Sequence, residues 1–428
     1  MKTRITEEEI SSTFKQALKK KIIKPVKDTA SIFYNLSFLE ERILDLEKQF
    51  PENTLHSIAM KANPLFRIQE KIRDLGAGSE VASLPELQLA IAAGFERDKI
   101  VFDSPCKTLE EIAFALEMGV HLNADSFHEL ERIDQLLKKM KSDSVIGIRI
   151  NPQVGTGSIK STSVAGTISK FGVPLLTGRQ ELFKAFRKYP WLTGVHLHIG
   201  SQGMPVDLLT KGMKRVLDFT EEVNSLLQKP NGKKRITVFD IGGGLAVSYR
   251  QNREAISMQQ YRTSLGKEVP ALFSGDYRLI TEFGRYIHTN TAWAASRVEY
   301  VKREKDYNII MSHLGADFML RECYNPQDWH HEIGVMDADG NLKNPAKKEK
   351  YFIAGPLCFA GDIIGHDLEL PLVEEGDYLI IHDVGGYTLS MWSRYNSRQV
   401  PMVVGYRNDE LEVLKEREGI EEVIGFWR

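Results

Sequence analysis

Between residues 57 and 282 the chain alternates short β-rich runs with amphipathic helical stretches, and this alternation restricts the fold more than any other feature. The runs are 57–60, 78–82, 99–103, 121–125, 145–151, 194–199, 236–241 and 279–282. Helical patterns lie between them, as at 85–93, 109–118, 127–138 and 208–227. Eight strands each followed by a helix predict an α/β fold, a closed (β/α)8 barrel of the TIM type. An open doubly wound sheet is the alternative; it is weakened because no G-x-G-x-x-G follows the first run.

After residue 285 the pattern changes. Runs at 298–301, 308–311, 351–354 and 378–381 read as strands separated by Pro, Gly and charged loops with little helix. With 428 residues the chain is too long for one ordinary core. The expectation is a barrel over 31–285 and a second, β-rich domain (a sandwich or barrel) from 1–30 plus 286–428. Residues 31–35 read as a lead-in to the barrel. The charged, Asp-rich segment 333–350 reads as an exposed loop or hairpin.

Composition excludes several classes. The net charge of −2 gives no basic field for nucleic acid or an anionic membrane. No segment is apolar enough to span a bilayer, and residues 1–10 lack the apolar core of a signal peptide. Cys106, Cys323 and Cys358 form no C-x-x-C pair, which fits a reducing cytoplasm.

The chemistry-bearing residues sit where the β-rich runs end. Lys61 closes Ser57-Ile58-Ala59-Met60-Lys61 before the turn signal Asn63-Pro64. An amine at the carboxyl end of a buried strand can be desolvated into a nucleophile, or can simply reach solvent. Gly242-Gly243-Gly244 follows Val238-Phe239-Asp240-Ile241, so backbone N–H groups could close on a phosphate there; a plain turn is the alternative. The next run ends in Glu282-Phe283-Gly284-Arg285, a carboxylate and a guanidinium that form either a structural ion pair or an anion clamp. His196-Leu197-His198 presents two imidazoles that could bind a metal, but no third ligand of the usual spacing is evident, and no metal is expected. A flat imidazole could instead stack on a planar cofactor, and Ser201 could bind phosphate. Later in the chain come Gly355-Pro356-Leu357-Cys358-Phe359 and Asp383-Val384-Gly385-Gly386-Tyr387.

Taken in order, these motifs resemble the fold-type III pyridoxal-phosphate-dependent decarboxylases, which act on diaminopimelate, ornithine, lysine or arginine. Ser169-Lys170-Phe171-Gly172-Val173 and the H-I-G-S-Q run ending at Gln202 are more similar to the diaminopimelate branch. The resemblance implies a pyridoxal 5'-phosphate-dependent carboxy-lyase. Lys61 would hold the cofactor as a Schiff base, with Glu80 near that lysine and His198 stacked on the pyridine ring. Ser201, Gly242, Gly243, Gly244, Gly284 and Arg285 would surround the phosphate, and Glu282 would pair with the pyridinium nitrogen. The resemblance also implies a homodimer with shared sites, in which Cys358, the proton donor, and Tyr387 reach the neighbouring subunit's site. Lys61, Cys358 and His198 are then the catalytic candidates.

Two departures bear on the substrate. The family's E-P-G-R carries Phe283 here. The acid that usually follows the cysteine, and holds a distal amine, is Phe359. A phenyl ring cannot make that charge-assisted hydrogen bond, although cation–π contact remains open to it; Glu322 or Glu332 could supply the missing acid. The segment 313–332 also departs from the diaminopimelate pattern. The alternatives are therefore a decarboxylase of a modified amino acid in siderophore- or antibiotic-type biosynthesis, a non-catalytic regulator on the same fold, or an amino-acid racemase.

Overall fold

A computed structural model describes residues 2–228, 232–250 and 253–428. The chain forms two compact units: Met1–Glu41, Ser248–Glu254 and Ile287–Arg428 make one, Arg42–Val247 and Ala255–Tyr286 the other.

The second of these is a closed parallel barrel. Its strands are β1 (Leu55–Ala59), β2 (Gly78–Val81), β3 (Ile100–Asp103), β4 (His121–Ala124), β5 (Ile146–Asn151), β6 (Leu192–His196), β7 (Val238–Asp240) and β8 (Arg278–Thr281). They pair in sequence from β1 to β5, β5 pairs with β6, and β8 pairs with β1, which leaves no edge. A two-residue strand, Val173–Pro174, is added outside β5. Each run expected from sequence is present. Local chemistry starts the helices. Ser83, Thr108 and Ser126 each accept a hydrogen bond from the N–H three residues on, at the head of Leu84–Ala92, Leu109–Met118 and Phe127–Leu137. Thr108 and Glu111 complete a reciprocal capping box. These caps fix where the strand-following loops end, and those loops form the carboxyl-terminal mouth of the barrel.

The other unit is built on a mixed nine-stranded sheet. Its long strand Ala292–Arg303 pairs with Ala30–Asn35, Asn308–Ser312 and Tyr378–Ile381. Residues 31–35 thus lie in a strand held on both sides within this unit, antiparallel to Ala292–Arg303 and parallel to Met402–Arg407. The segment expected as an exposed loop or hairpin opens with the mostly buried strand Ile333–Met336, and Met336 bridges to Leu342 across a turn. Helix Glu7–Lys19, capped by Thr6 and carrying three glutamates in its first turn, packs Ile10, Phe14 and Ala17 into the core of this unit. There Phe33 and Trp293 stack at 4.1 Å, both fully buried. Among the described residues, no helix is long and apolar enough to cross a membrane.

Candidate active site

Charged side chains collect where the barrel strands end. Lys61 lies in a 3-10 turn, Met60–Ala62, directly after β1. Its amine is not enclosed in apolar surroundings: the side chain keeps 38% of its exposure and ion-pairs with Glu80 of β2. Glu80 itself is fully buried. Burial pushes its carboxyl up to about 8, against the pull of Lys61 and with help from Glu282 and Asp103.

The three glycines after β7 are required by geometry. Gly242 and Gly244 adopt φ of +64° and +104°. A Cβ on Gly243 would stand 2.4 Å from the Glu282 carbonyl oxygen, and one on Gly244 2.4 Å from that of Gly200. The Gly243 N–H donates to His198 Nδ1 at 3.2 Å, and the Gly242 N–H to Asp240 Oδ1 at 2.9 Å. Gln202 clamps the segment downstream, donating to the Val247 carbonyl (2.7 Å) and accepting from its N–H (3.1 Å). Nearby, Arg285 Nε donates to Ser201 Oγ at 3.0 Å. Gly284 permits this helix start to approach β1, since a Cβ there would meet those of Ala59 and Ala62 at 2.9 Å. Phe283, the departure from E-P-G-R, is buried beside Phe50 and Tyr261, so the barrel core absorbs it.

Sequence reading missed most of the groups on the floor of this mouth and gave His196 only as a possible metal ligand. Asp103 of β3, Arg149 of β5, His196 of β6 and Asp240 of β7 are all buried. Arg149 reaches Asp103 at 3.2 Å and lies over the ring of Phe171, 4.5 Å away, which gives the Ser169–Val173 motif a structural reason. Glu282 completes the group. Burial would raise its carboxyl, but His196 holds it down to about 2. Ligand atoms of Asp103, His196 and Glu282 lie within 4.8 Å of one another. The third ligand absent from the local spacing therefore exists in space, but each nitrogen of His196 already faces a carboxylate, as in an ion-pair network. The available signal was a single charged residue interrupting each apolar strand.

Cys358 and Tyr387 lie in the β-rich unit. Cys358 is exposed; its N–H donates to Asn396 Oδ1 (2.7 Å) and its carbonyl accepts from the Tyr395 hydroxyl (3.1 Å). Asp362 braces this loop by accepting from the N–H groups of Leu357 and Ala316, both at 2.6 Å. Phe359 stacks on Tyr324 at 5.8 Å and meets Tyr395 edge-on at 6.4 Å. Tyr387 sits at φ +62° with the Arg321 guanidinium 4.8 Å from its ring. The two acids considered as replacements each carry a basic partner: Glu322 is buried against His331 (2.9 Å), and Glu332 pairs with Arg4 (2.7 Å).

Residues 36–289 match the model of the pyridoxal-dependent decarboxylase family, pyridoxal binding domain. The chain is 30% identical over 406 residues to diaminopimelate decarboxylase of Helicobacter pylori strain J99, covering 94% of this chain and 95% of that protein. It is 29% identical over 410 residues to the Archaeoglobus fulgidus diaminopimelate decarboxylase, covering 94% of each. The crystal structure of the Helicobacter pylori enzyme complexed with L-lysine superposes with a TM-score of 0.82 at 28% identity, covering 93% of this chain and 96% of that one. That of the M. jannaschii diaminopimelate decarboxylase gives 0.83 at 26%, covering 96% and 93%.

The mouth fits pyridoxal 5'-phosphate on its own geometry. It offers an accessible amine, a glycine cradle that admits no Cβ, a buried arginine beside a serine hydroxyl, and a buried carboxylate, Glu282. An aldehyde, a phosphate and a pyridine nitrogen need these groups. The chain belongs to the pyridoxal-dependent decarboxylase family and is a pyridoxal-phosphate-dependent amino-acid decarboxylase.

Proposed function

We propose that the barrel mouth carries the chemistry on an amino acid of the diaminopimelate type, and that a second copy of the chain completes the site with its Cys358 loop. The observation that carries this reading is the Lys61–Glu80 pair beside the glycine cradle, Arg285 and Glu282. In it, Lys61 Nζ is the amine that would hold the cofactor's aldehyde and give way to a substrate amine. Glu80 keeps a proton at hand for that exchange. His198, whose Nδ1 is already engaged by Gly243, offers a flat ring face for stacking. Ser201, Gly242, Gly243, Gly244, Gly284 and Arg285 would hold the phosphate, and Glu282 would serve the ring nitrogen. Pyridoxal phosphate, when bound, supplies the sink for the electrons left as carbon dioxide departs. Cys358 Sγ, exposed on its braced loop, returns a proton to the α-carbon, and Tyr387 helps close the site. The domain reading follows the two compact units, with the barrel beginning near residue 42 rather than 31: Arg42–Val247 with Ala255–Tyr286 as the cofactor barrel, and the unit that includes Ile287–Arg428 as the one that presents Cys358. Three free cysteines support a cytoplasmic setting.

A second reading of the substrate is favoured by the ring trio Tyr324, Phe359 and Tyr395, which surrounds the position where the family carries an acid. Such rings suit a distal group that is bulky, conjugated or alkylated rather than a bare ammonium.

Hybrid dimers test the shared site. Lys61→Ala and Cys358→Ala subunits, each inactive alone, regain part of the activity after mixing, because one of the two sites in a hybrid is intact. Carbon dioxide release is measured with meso-diaminopimelate, lysine, ornithine, arginine and amino-acid conjugates. Free subunit exchange without recovery contradicts the shared site; inversion of the α-carbon without carbon dioxide contradicts decarboxylation.

A further inference from the structure

His196 occupies an unusual position for an imidazole. It ends β6, is fully buried, and has charged neighbours in register on both sides, Arg149 on β5 and Asp240 on β7. Its Nδ1 lies 3.5 Å from Asp103 Oδ1 and its Nε2 3.6 Å from Glu282 Oε1. None of these four buried atoms makes a hydrogen bond. They form two facing pairs, a nitrogen and a carboxylate oxygen in each. A neutral imidazole has one N–H and can serve only one of the two carboxylates; the other would face a ring lone pair. With both carboxyls ionised, only the doubly protonated ring suits both.

Among the described residues, His196 is the main group holding Glu282 charged, with Lys61 adding a smaller pull. His198 Nδ1, 3.8 Å from Glu282, accepts the Gly243 N–H and so holds no proton to offer. Lys61 is engaged with Glu80, and Arg149 with Asp103. We propose that His196 is a buried cationic positioning residue whose imidazolium bridges Asp103 and Glu282, and so keeps Glu282 an anion for the ring nitrogen of the bound cofactor.

The titratable surroundings agree. The groups facing the cluster are Lys61, Glu80, Asp103, Lys107, His121, Arg149, His198, Asp240, Arg278 and Glu282. Burial opposes a charge on His196, yet Asp103, Glu282 and Asp240 push its pKa up to about 9. Burial, joined by Arg149, takes His198 down to about 3, and burial takes His121 to about 4, so both stay neutral. Asp240 is raised by burial and by Glu282, which leaves Asp103 and Glu282 as the anions of the group. Without the His196 cation, Glu282 would take up a proton itself and could no longer hold a pyridinium.

The ring charge is read by 15N NMR of 15N-histidine-labelled protein freed of cofactor. The His196 signals are identified by their loss in His196→Gln and by their movement in Asp103→Asn. The expected result is an imidazolium at pH 7.5 that loses its proton near pH 9, with the midpoint at least tenfold lower in proton affinity in Asp103→Asn. A neutral ring at pH 7.5 overturns the proposal. The coupling rests on Glu282 facing the ring nitrogen, and the holoenzyme spectrum reads it. Between pH 6 and 10 the absorbance of the bound cofactor should titrate in the parent, and in His196→Gln the change should move by more than one pH unit or vanish. Identical titrations in the two overturn the proposal, provided Glu282→Gln alters the spectrum. If Glu282→Gln also leaves it unchanged, the assignment of Glu282 is what has failed. Asp103→Asn, which retains the imidazole, supplies the same comparison if His196→Gln does not fold.

Discussion

The barrel mouth and the Cys358 loop are organised in opposite ways. In the mouth, Glu80, Asp103, Arg149, His196 and Glu282 are buried, and each faces an opposite charge. At the Cys358 loop the thiol is exposed, the backbone is held by Asn396, Tyr395 and Asp362, and the neighbouring side chains are aromatic. Buried charges tolerate little change, because losing one partner leaves the other uncompensated. An exposed loop braced through its backbone can exchange side chains without disturbing the brace. The mouth is thus the region where a substitution should cost most, and the loop the region where side chains can change most freely.

Glu282→Gln should break the mouth most severely. It removes the carboxylate proposed for the ring nitrogen and leaves His196 beside an uncharged amide; kcat should fall roughly 10²–10³-fold. The same carboxyl gives the fold a pH dependence. Its pKa is held near 2, below the ordinary 4.5, so its contribution to stability is complete above about 4.5 and is lost as the pH falls through about 2. Thermal unfolding between pH 2 and 5 should show a shallower acid loss in Glu282→Gln than in the parent. An unchanged kcat and an unchanged acid profile would remove Glu282 from the account.

Gly243→Ala probes the cradle. The added Cβ meets the Glu282 carbonyl at 2.4 Å, and backbone cannot swing aside as a flexible side chain can. Overpacking of this kind costs about 1–3 kcal/mol. Cofactor affinity, measured by equilibrium dialysis, should fall roughly tenfold to a hundredfold. Retained affinity would show that the loop is a turn without a role in binding.

Phe359→Glu sharpens the other side of the comparison. Restoring an acid should favour diamino substrates by about 1.5–3 kcal/mol, roughly ten- to a hundredfold in kcat/KM for meso-diaminopimelate relative to a conjugated amino acid. A parent enzyme already efficient on meso-diaminopimelate, and unimproved by the change, would show that the ring trio does not select the substrate.

Much of this was legible in the sequence for a physical reason. Each barrel strand is a short apolar run bounded by turn or cap residues, so its existence is a local property. Lys61, Gly242–Gly244 and Glu282 stood out because they follow such runs directly. What was not legible depends on closure. Asp103, Arg149 and Asp240 are single polar residues on three strands, His196 stood out only as a possible metal ligand, and only the barrel brings the four together. Residues 31–35 read as a lead-in to the barrel because their apolar pattern does not say which sheet they join. Their partners, Ile32 with Ala294 and with Val403, lie far along the chain. The buried start of 333–350 was hidden for the same reason: Ile333–Met336 is covered by pairing with Tyr378–Ile381, which local polarity cannot reveal.

The central claim is that one lysine, Lys61, attaches the cofactor at the barrel mouth. Borohydride reduction of the holoenzyme followed by peptide mapping tests it most directly. A single pyridoxyl label on the peptide containing Lys61, absent in Lys61→Ala together with a fall in turnover of roughly 10⁴-fold or more, is the predicted result. A label on any other lysine, or full turnover in Lys61→Ala, would contradict it.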